Sequence, residues 1–374
     1  MPDKSAIMLA VGDCIFEEEE ADAEVLLELT SESLKSADVM VGQCEVTYSN
    51  RPVSTMTDRI PKPRDPDVMQ GLIPAGFNVM TLSGNHVWDL GRPGIEDTMA
   101  WLRDRGVAIT GAGINLEEAR LPAIVERNGT RFGFLSYNCV GPKSTWASND
   151  KSGCAYVNIL THYELDHATP GGMPTAYVGI ELDSLEAMQD DIKKLRSRCD
   201  VLAVSFHKGL VHTPITVMNY ERHLSYAAID AGADLILGHH AHILHGIELY
   251  KGKTIFHSLG NYVVSLRMTI DPKQGPEQWA LRRKKLFGFE PDPEYPTYPF
   301  HPEAVHTIIA KCYIEKGKIA KVNYLPCLVN KKGQPEILKN DKRGQTTFDY
   351  VEKITNDAGL NAHFAWDGDE VSVI

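Results

Sequence analysis

The segment Gly238-His239-His240-Ala241-His242 sets three imidazoles within four positions at the end of an apolar run. A His-x-His at a strand end brings two of them close enough to serve neighbouring metal ions. Five of the fourteen histidines fall between His239 and His257, a density that isolated core histidines do not explain. Other donors stand at comparable places: Asp13 in Gly12-Asp13, Glu45 in Gly42-Gln43-Cys44-Glu45, Asn85 in Gly84-Asn85-His86, and His207 in Ser205-Phe206-His207. Taken singly, each has a plainer reading. Gly-Asp is a common helix-capping turn, Asn leads tight turns, and a lone histidine is often a hydrogen-bonded core residue. Taken together, metal-competent side chains at the ends of several predicted strands converge on one site, because ligands bind at the carboxyl edge of an open α/β sheet.

The set Asp13, Glu45, Asn85, His207, His240 and His242 offers carboxylate, amide and imidazole donors without a thiolate. That chemistry suits Mn, Fe(II) or Zn, and Mg or Ca less well. Two such ions would polarise a substrate oxygen and lower the pKa of a bound water. Glu45 is the expected bridge between them, and His86, beside a ligand rather than at one, is placed as general acid or base. The seven cysteines are scattered, odd in number and free of any C-x-x-C pair, which reads as buried thiols rather than a zinc-thiolate site.

These side chains need strands to carry them. Short apolar runs alternate with amphipathic ones, as when strands and helices take turns. Strands are predicted over 6–12, 39–42, 78–83, 201–205 and 234–237, and helices over 21–36, 67–75, 94–105, 184–197, 222–231 and 347–356. Hairpins are predicted across Asn128-Gly129 and Gly252-Lys253, and a terminal one over 305–325. Two stretches without periodicity, 140–175 and 267–302, are expected to be irregular lids over the site. The catalytic domain is expected to span 1–330, with 331–374 an extension packed on it. Within the second lid, His301 is a candidate second base, although a histidine in Tyr298-Pro299-Phe300-His301-Pro302 is more often a packing residue. The basic run Arg282-Arg283-Lys284-Lys285 reads as a solvated face or a clamp for an anion, and Trp88 and Trp146 as packing or pocket lining.

With a net charge of -12 and a pI near 5.6, the chain is not expected to bind nucleic acid or an anionic membrane by general attraction. The apolar run 6–11 is short and leads into Glu17-Glu18-Glu19-Glu20, unlike a signal peptide, and a cytoplasmic location is expected.

The order Gly-Asp, Glu, Gly-Asn-His, His, Gly-His-His-x-His, with GAGINLEEA at 111–119, GADLILGHHAHILHG at 232–246 and HSLGNY at 257–262, resembles a known family. It is the CapA/PgsA group of capsule and poly-γ-glutamate synthesis proteins, within the calcineurin-like metallophosphoesterases. The resemblance runs from Ala6 to about Val264. It implies a four-layer α/β/β/α sandwich with two metals at the inner sheet edges. It also implies Asp13, Glu45, Asn85, His207, His240 and His242 as ligands and His86 as the catalytic histidine; His239 has no clear ligand counterpart there and is a candidate support behind them. The sequence departs from the family pattern in three ways. Ile15 stands where classical members have a histidine, Gln43-Cys44-Glu45 stands for Asn-Leu-Glu, and no membrane anchor is seen, which points away from capsule export. The functions implied are a metal-dependent hydrolase of a phosphoester or of an amide in a small molecule or peptide, a metal-dependent peptide epimerase, or a non-catalytic capsule-assembly scaffold.

Overall fold

The computed structural model describes residues 5–17, 22–51, 63–165, 171–172, 174–266 and 276–374. Side chains alternate along each central strand, and the alternation sorts them into three cores. Met8, Ala10, Val39, Val41 and Val79 face Phe132, Phe134, Val201, Ala203, Leu235 and Leu237 across the gap between two sheets. Their neighbours Leu9, Val11, Met40 and Met80 turn outward onto Leu26, Met69, Leu72 and Leu102. On the other side, Leu135, Leu202, Val204 and Ile236 meet Met188, Ile192, Leu195, Leu224 and Ala228 of two helices. The result is an α/β/β/α sandwich of four layers, as expected.

The first sheet has ten strands. Its centre is the parallel run Ala6–Phe16, Val39–Cys44, Val79–Thr81 and Ala108–Thr110. The antiparallel hairpin His306–Glu315 and Lys318–Val329 flanks Ala6–Phe16 on its other side. The second sheet, of six strands, has Thr130–Asn138, Val201–His207, Leu235–His239 and Lys253–Leu259 parallel at its centre. The chain passes from the second sheet to the first between Leu259 and Asn261, through Gly260 at φ +66°. From there Asn261–Ser265 pairs with the second half of Ala6–Phe16. That extra partner carries the first strand on to Phe16, past the end at Gly12 that its apolar run predicts. Asp13 therefore sits inside a strand, at a break in register, and not in a capping turn.

Three further predictions are corrected. The segment 140–175 is not wholly irregular, since Ile159–Glu164 pairs with Thr175–Ile180. This ribbon pairs with nothing else among the described residues and buries little of either face, so it lacks the period-2 signal of a half-buried strand. Within 267–302, Pro276–Phe287 is a helix that exposes Leu281 and Leu286, so no apolar stripe marks it; residues 267–275 lie outside the described residues. The single helix predicted over 21–36 is two short ones, Ala23–Leu27 and Ser31–Leu34, the first capped by the Asp22 carboxylate.

Beyond residue 330, the helix Lys342–Asp357 sends Phe348, Val351 and Ile354 into the core between the sheets, and Phe364–Asp367 and Glu370–Val373 add two strands to the first sheet. Among the described residues no helix is long and apolar enough to cross a membrane.

Candidate metal centre

All six expected ligands come to the edge where the carboxyl ends of the two sheets meet. Asp13 and Glu45 arrive from the first sheet, Asn85 from the turn after Val79–Thr81, and His207, His240 and His242 from the second. Glycines let the strands approach closely enough. A Cβ at Gly12 would stand 2.0 Å from the Gly260 carbonyl oxygen, and one at Gly238 would stand 1.9 Å from that of His257. The glycines that precede Asp13 and His239 are therefore fixed by backbone crowding. His240 and His242 themselves adopt φ of +89° and +55°. Non-glycine residues pay for such a conformation and hold it where the surrounding structure dictates it, often at functional sites.

The ligands form two adjoining nests. In one, donor atoms of Asp13, Glu45 and His242 lie within 4.8 Å of one another. His242 Nε2 is 3.2 Å from Glu45 Oε1, and His239 Nδ1 is 3.2 Å from Asp13 Oδ1. In the other, His207 Nε2 lies 2.7 Å from Asn85 Oδ1 and 3.1 Å from His240 Nδ1. Two ligands at right angles on one ion, each bonded at about 2.1 Å, stand about 3 Å apart, so this spacing fits a shared cation. The His240 amide donates to Asp13 Oδ2 at 3.2 Å and ties the nests together.

The electrostatics point the same way. Asp13 and Glu45 are fully buried; Asp13 Oδ1 and Glu45 Oε1 face the imidazoles of His239 and His242, each at 3.2 Å, and Glu45 Oε2 and His207 Nδ1 have no hydrogen-bond partner among the described residues. Buried carboxylates without donors are costly unless a cation compensates them. Burial, and then the charge of His242, push His240 down to about 3. Burial and the surrounding imidazoles hold His207 well below the ordinary range. Both rings are thus in the neutral form that binds metal. His242 alone is raised, to about 9: burial opposes its charge, but Glu45 and Asp13 outweigh burial. To bind an ion, His242 would give up its Nε2 proton, and the ion's charge would take the proton's place beside the two carboxylates.

His86 is partly exposed beside this cluster, and its Nδ1 meets Asp89 Oδ2 at 2.8 Å. The segment after Asn138 braces the turn that carries Asn85 and His86: Lys151 lies over the Trp88 ring at 4.1 Å, and Trp146 stacks on Tyr156 at 4.2 Å. Phe300 closes the His242 side at 4.9 Å. His301 is turned to another task, since its Nδ1 accepts from the Glu303 amide at 3.1 Å while its ring meets Phe289. His306, the other histidine near that lid, stacks on Tyr350 of the last helix. Lys284 pairs with Glu290, while the side chains of Arg282 and Arg283 lie outside the described residues. Ile15, where classical members of the resembled superfamily have a histidine, is packed in the outer core.

Residue types and spacing do not reveal three supports. Asn261 Oδ1 accepts from His242 Nδ1 at 2.9 Å, which leaves Nε2 toward Glu45. Asp89 fixes the His86 ring, and its one local sign is the three-residue spacing on a turn. Behind His207, the fully buried Lys208 meets Glu221 at 3.0 Å and His257 Nδ1 at 3.1 Å, and His257 Nε2 donates to Glu248 at 2.9 Å. Glu248 in turn receives Arg222 and the Tyr226 hydroxyl. The Lys208 amide donates to the His239 carbonyl at 3.2 Å, so this network locks together the two strand ends that carry His207 and His240.

Comparison with known proteins places these residues in context. The model of the family described as Bacterial capsule synthesis protein PGA_cap matches residues 7–265. The PGA biosynthesis protein CapA of Bacillus subtilis (strain 168) is 26% identical over 278 residues, 74% of this chain and 66% of that protein. The capsule biosynthesis protein CapA of Bacillus anthracis is 27% identical over 208 residues, 56% of this chain and 45% of that one. A probable polyglutamine synthesis accessory protein of Mycobacterium tuberculosis is 27% identical over 202 residues, 53% and 48% of the two chains. This chain thus spans just under two thirds of the first relative and about half of the others. Among solved structures, a hypothetical protein from Thermus thermophilus aligns over 86% of this chain and 98% of its own, with a TM-score of 0.45 and 16% identity. The calcineurin-like phosphoesterase YfkN from Bacillus subtilis aligns over 96% and 99%, with a TM-score of 0.36 and 13% identity. Both scores are low, and the sandwich described above rests on its own geometry.

Proposed function

Because the chain belongs to the bacterial capsule synthesis protein family PGA_cap, we propose that it is a metal-dependent hydrolase of an amide or phosphoester bond. Its centre would be held by Asp13, Glu45, Asn85, His207, His240 and His242. One observation carries this reading: two fully buried carboxylates bring oxygens to 3.2 Å from imidazole nitrogens of His239 and His242, and Glu45 Oε2 accepts no hydrogen bond among the described residues. In a purely structural cluster, N–H or O–H groups would satisfy them. Asp13 and His242 would hold one ion, and Asn85, His207 and His240 the other, with Glu45 between them and Mn, Fe or Zn the best match to the donors. When bound, such ions supply Lewis-acid polarisation of a substrate oxygen and a water acidified toward neutral pH.

The chain's own groups manage the proton. Asp89 holds the proton of His86 on Nδ1 and would stabilise the imidazolium that forms, so Nε2 is free to take a proton or to return one to a leaving group. Phe300 and His212, packed against His242, keep water from that flank. The names of the relatives, which concern capsule and polyglutamate-type synthesis, support an amide-linked glutamate polymer or peptide as the substrate class.

The test begins with metal content. The purified protein should carry about one to two equivalents of Mn, Fe or Zn, and His240→Ala should lose at least half. With γ-glutamyl-p-nitroanilide and bis(p-nitrophenyl) phosphate as probes, His86→Ala should keep its metal and lose roughly 10²–10⁴ in kcat. If wild type and His240→Ala are equally metal-free and neither takes up added Mn or Zn, the enzyme reading fails. Solvent deuterium entering a recovered, uncleaved peptide would replace hydrolysis by epimerisation.

A further inference from the structure

The outer face of the second sheet holds a cavity that shares no residue with the metal centre. Its floor is Leu135 of the strand Thr130–Asn138, and its walls come from the helices Leu116–Ala119 and Leu182–Arg196. It measures about 410 Å³, within the span of roughly 300–1,000 Å³ usual for small-molecule sites. Leu116, Leu121 and Leu195 give it an apolar lining, and Leu121 leaves half of its surface in solvent. Arg198, on its rim, lies just before the strand Val201–His207, whereas the metal centre lies at that strand's other end.

The charges around it are paired selectively. Four cations sit at the end of the helix Leu182–Arg196 and in the turn after it: Lys193, Lys194, Arg196 and Arg198. Lys193 pairs with Asp190 at 3.3 Å, and Arg196 pairs with Asp234 at 2.6 Å while donating to the carbonyls of Cys199 and Asp200. Lys194 and Arg198 have no carboxylate partner among the described residues, and these are the two that line the cavity. The preference for cations at a helix C-terminus accounts for their presence. It does not account for pairing that stops at the cavity wall. Counting Arg120, Lys194 and Arg198 against Glu117 and Asp191, the lining sums to +1 in a chain of net charge -12.

We propose that this cavity binds a small amphipathic carboxylate, with its anionic end on Lys194 and Arg198 and its apolar body against Leu116, Leu121, Leu135 and Leu195. Arg120 supplies a fixed wall and not a third anion contact. Its Nε and Nη2 donate to Asp191 at 2.6 and 2.8 Å, Nη2 also reaches the Ala187 carbonyl at 2.8 Å, and Asp191 accepts from the Tyr137 hydroxyl at 3.0 Å, so the guanidinium charge is already compensated. The exposed carboxylate of Glu117, also in the lining, disfavours a dianion or a phosphate, so a monoanion with a hydrocarbon body is the class that fits.

Octanoate, 1-octanol and octylamine share a body and differ in charge, and calorimetry with the metal-loaded protein separates them. Octanoate should bind with Kd of about 1 mM or tighter and raise Tm, octanol should be at least about fivefold weaker, and octylamine should not bind. Lys194→Glu/Arg198→Glu should weaken octanoate by about tenfold or more and leave octanol and metal content unchanged. Leu121→Ser, at an exposed position, should weaken octanoate and octanol alike. Equal binding of the three probes, unchanged octanoate affinity in the double variant, displacement of octanoate by inorganic phosphate, or no binding at about 10 mM would each overturn the proposal.

Discussion

The cluster around Asp13 and the cluster around Lys208 are both buried and both charged, and they meet at the His207–Lys208 peptide. They meet the cost of burial in opposite ways. Around Lys208 every charge has a partner in the chain: the ammonium faces Glu221 and His257, and Glu248 gathers His257, Tyr226 and Arg222. Burial, and then Lys208, hold His257 down at about 4, so its ring is neutral and can accept from Lys208 at Nδ1 while donating to Glu248 at Nε2. Around Asp13 and Glu45, two carboxylates share one raised imidazole, His242, and Glu45 Oε2 accepts no hydrogen bond among the described residues. A lysine whose ammonium completes a nest makes a structural element. A nest left short of positive charge calls for compensation from outside, which is why the proposed function is placed there.

The comparison breaks most visibly at Lys208. Lys208→Met strands Glu221 as a buried unpaired charge and should cost about 3–5 kcal/mol in chemical unfolding, while Lys208→Met/Glu221→Leu should recover most of the loss. If the single variant is as stable as wild type, the pair is not the brace described. The other nest should respond to added ions instead. Manganese at about 100 times its Kd should stabilise wild type by about 2.7 kcal/mol. Glu45→Gln should lose that gain, while in the metal-free protein it removes the partner that keeps His242 charged and should cost less than the metal-dependent gain. A metal-free Glu45→Gln that unfolds far more readily would show that Glu45 is already satisfied without a cation.

The smallest expected effect concerns pH. Burial alone would raise Glu248, but the hydrogen bonds from His257, Tyr226 and Arg222 hold it down at about 2 against an ordinary 4.5. A carboxylate lowered on folding stabilises fully above its unfolded value and loses that contribution as pH falls through its folded value. Stability should therefore decline between about pH 4.5 and 2 by roughly 2 kcal/mol from this group, and Glu248→Gln should flatten that decline. An unchanged acid limb in Glu248→Gln would remove Glu248 from the network's charge balance.

The meeting of these polar side chains at one edge was legible in the sequence because they follow apolar runs, and a strand's direction alone carries such residues there. The four layers were expected from the resemblance, and the strict alternation of Met8, Leu9, Ala10 and Val11 between two cores gives them a local cause. Asn261 and Lys208 were not legible as supports, because their partners depend on how strands register across the sandwich and not on anything beside them in the chain. The ribbon Ile159–Glu164 with Thr175–Ile180 escaped for a different reason: it buries too little of either face to leave a pattern. At Ile15 a place that the resemblance assigns to a ligand belongs to the outer core, while His239 approaches Asp13 from the facing sheet.

The passage of the chain through Gly260 has a mechanical consequence. Because one continuous segment belongs to the second sheet up to Leu259 and to the first from Asn261, the two sheets are pinned to each other beside the cluster. Sliding of one sheet over the other is blocked at the end where carboxylates from one must stay aligned with imidazoles from the other. The crossing thus ties the alignment of the two sheets to one covalent link at the end where the candidate residues meet.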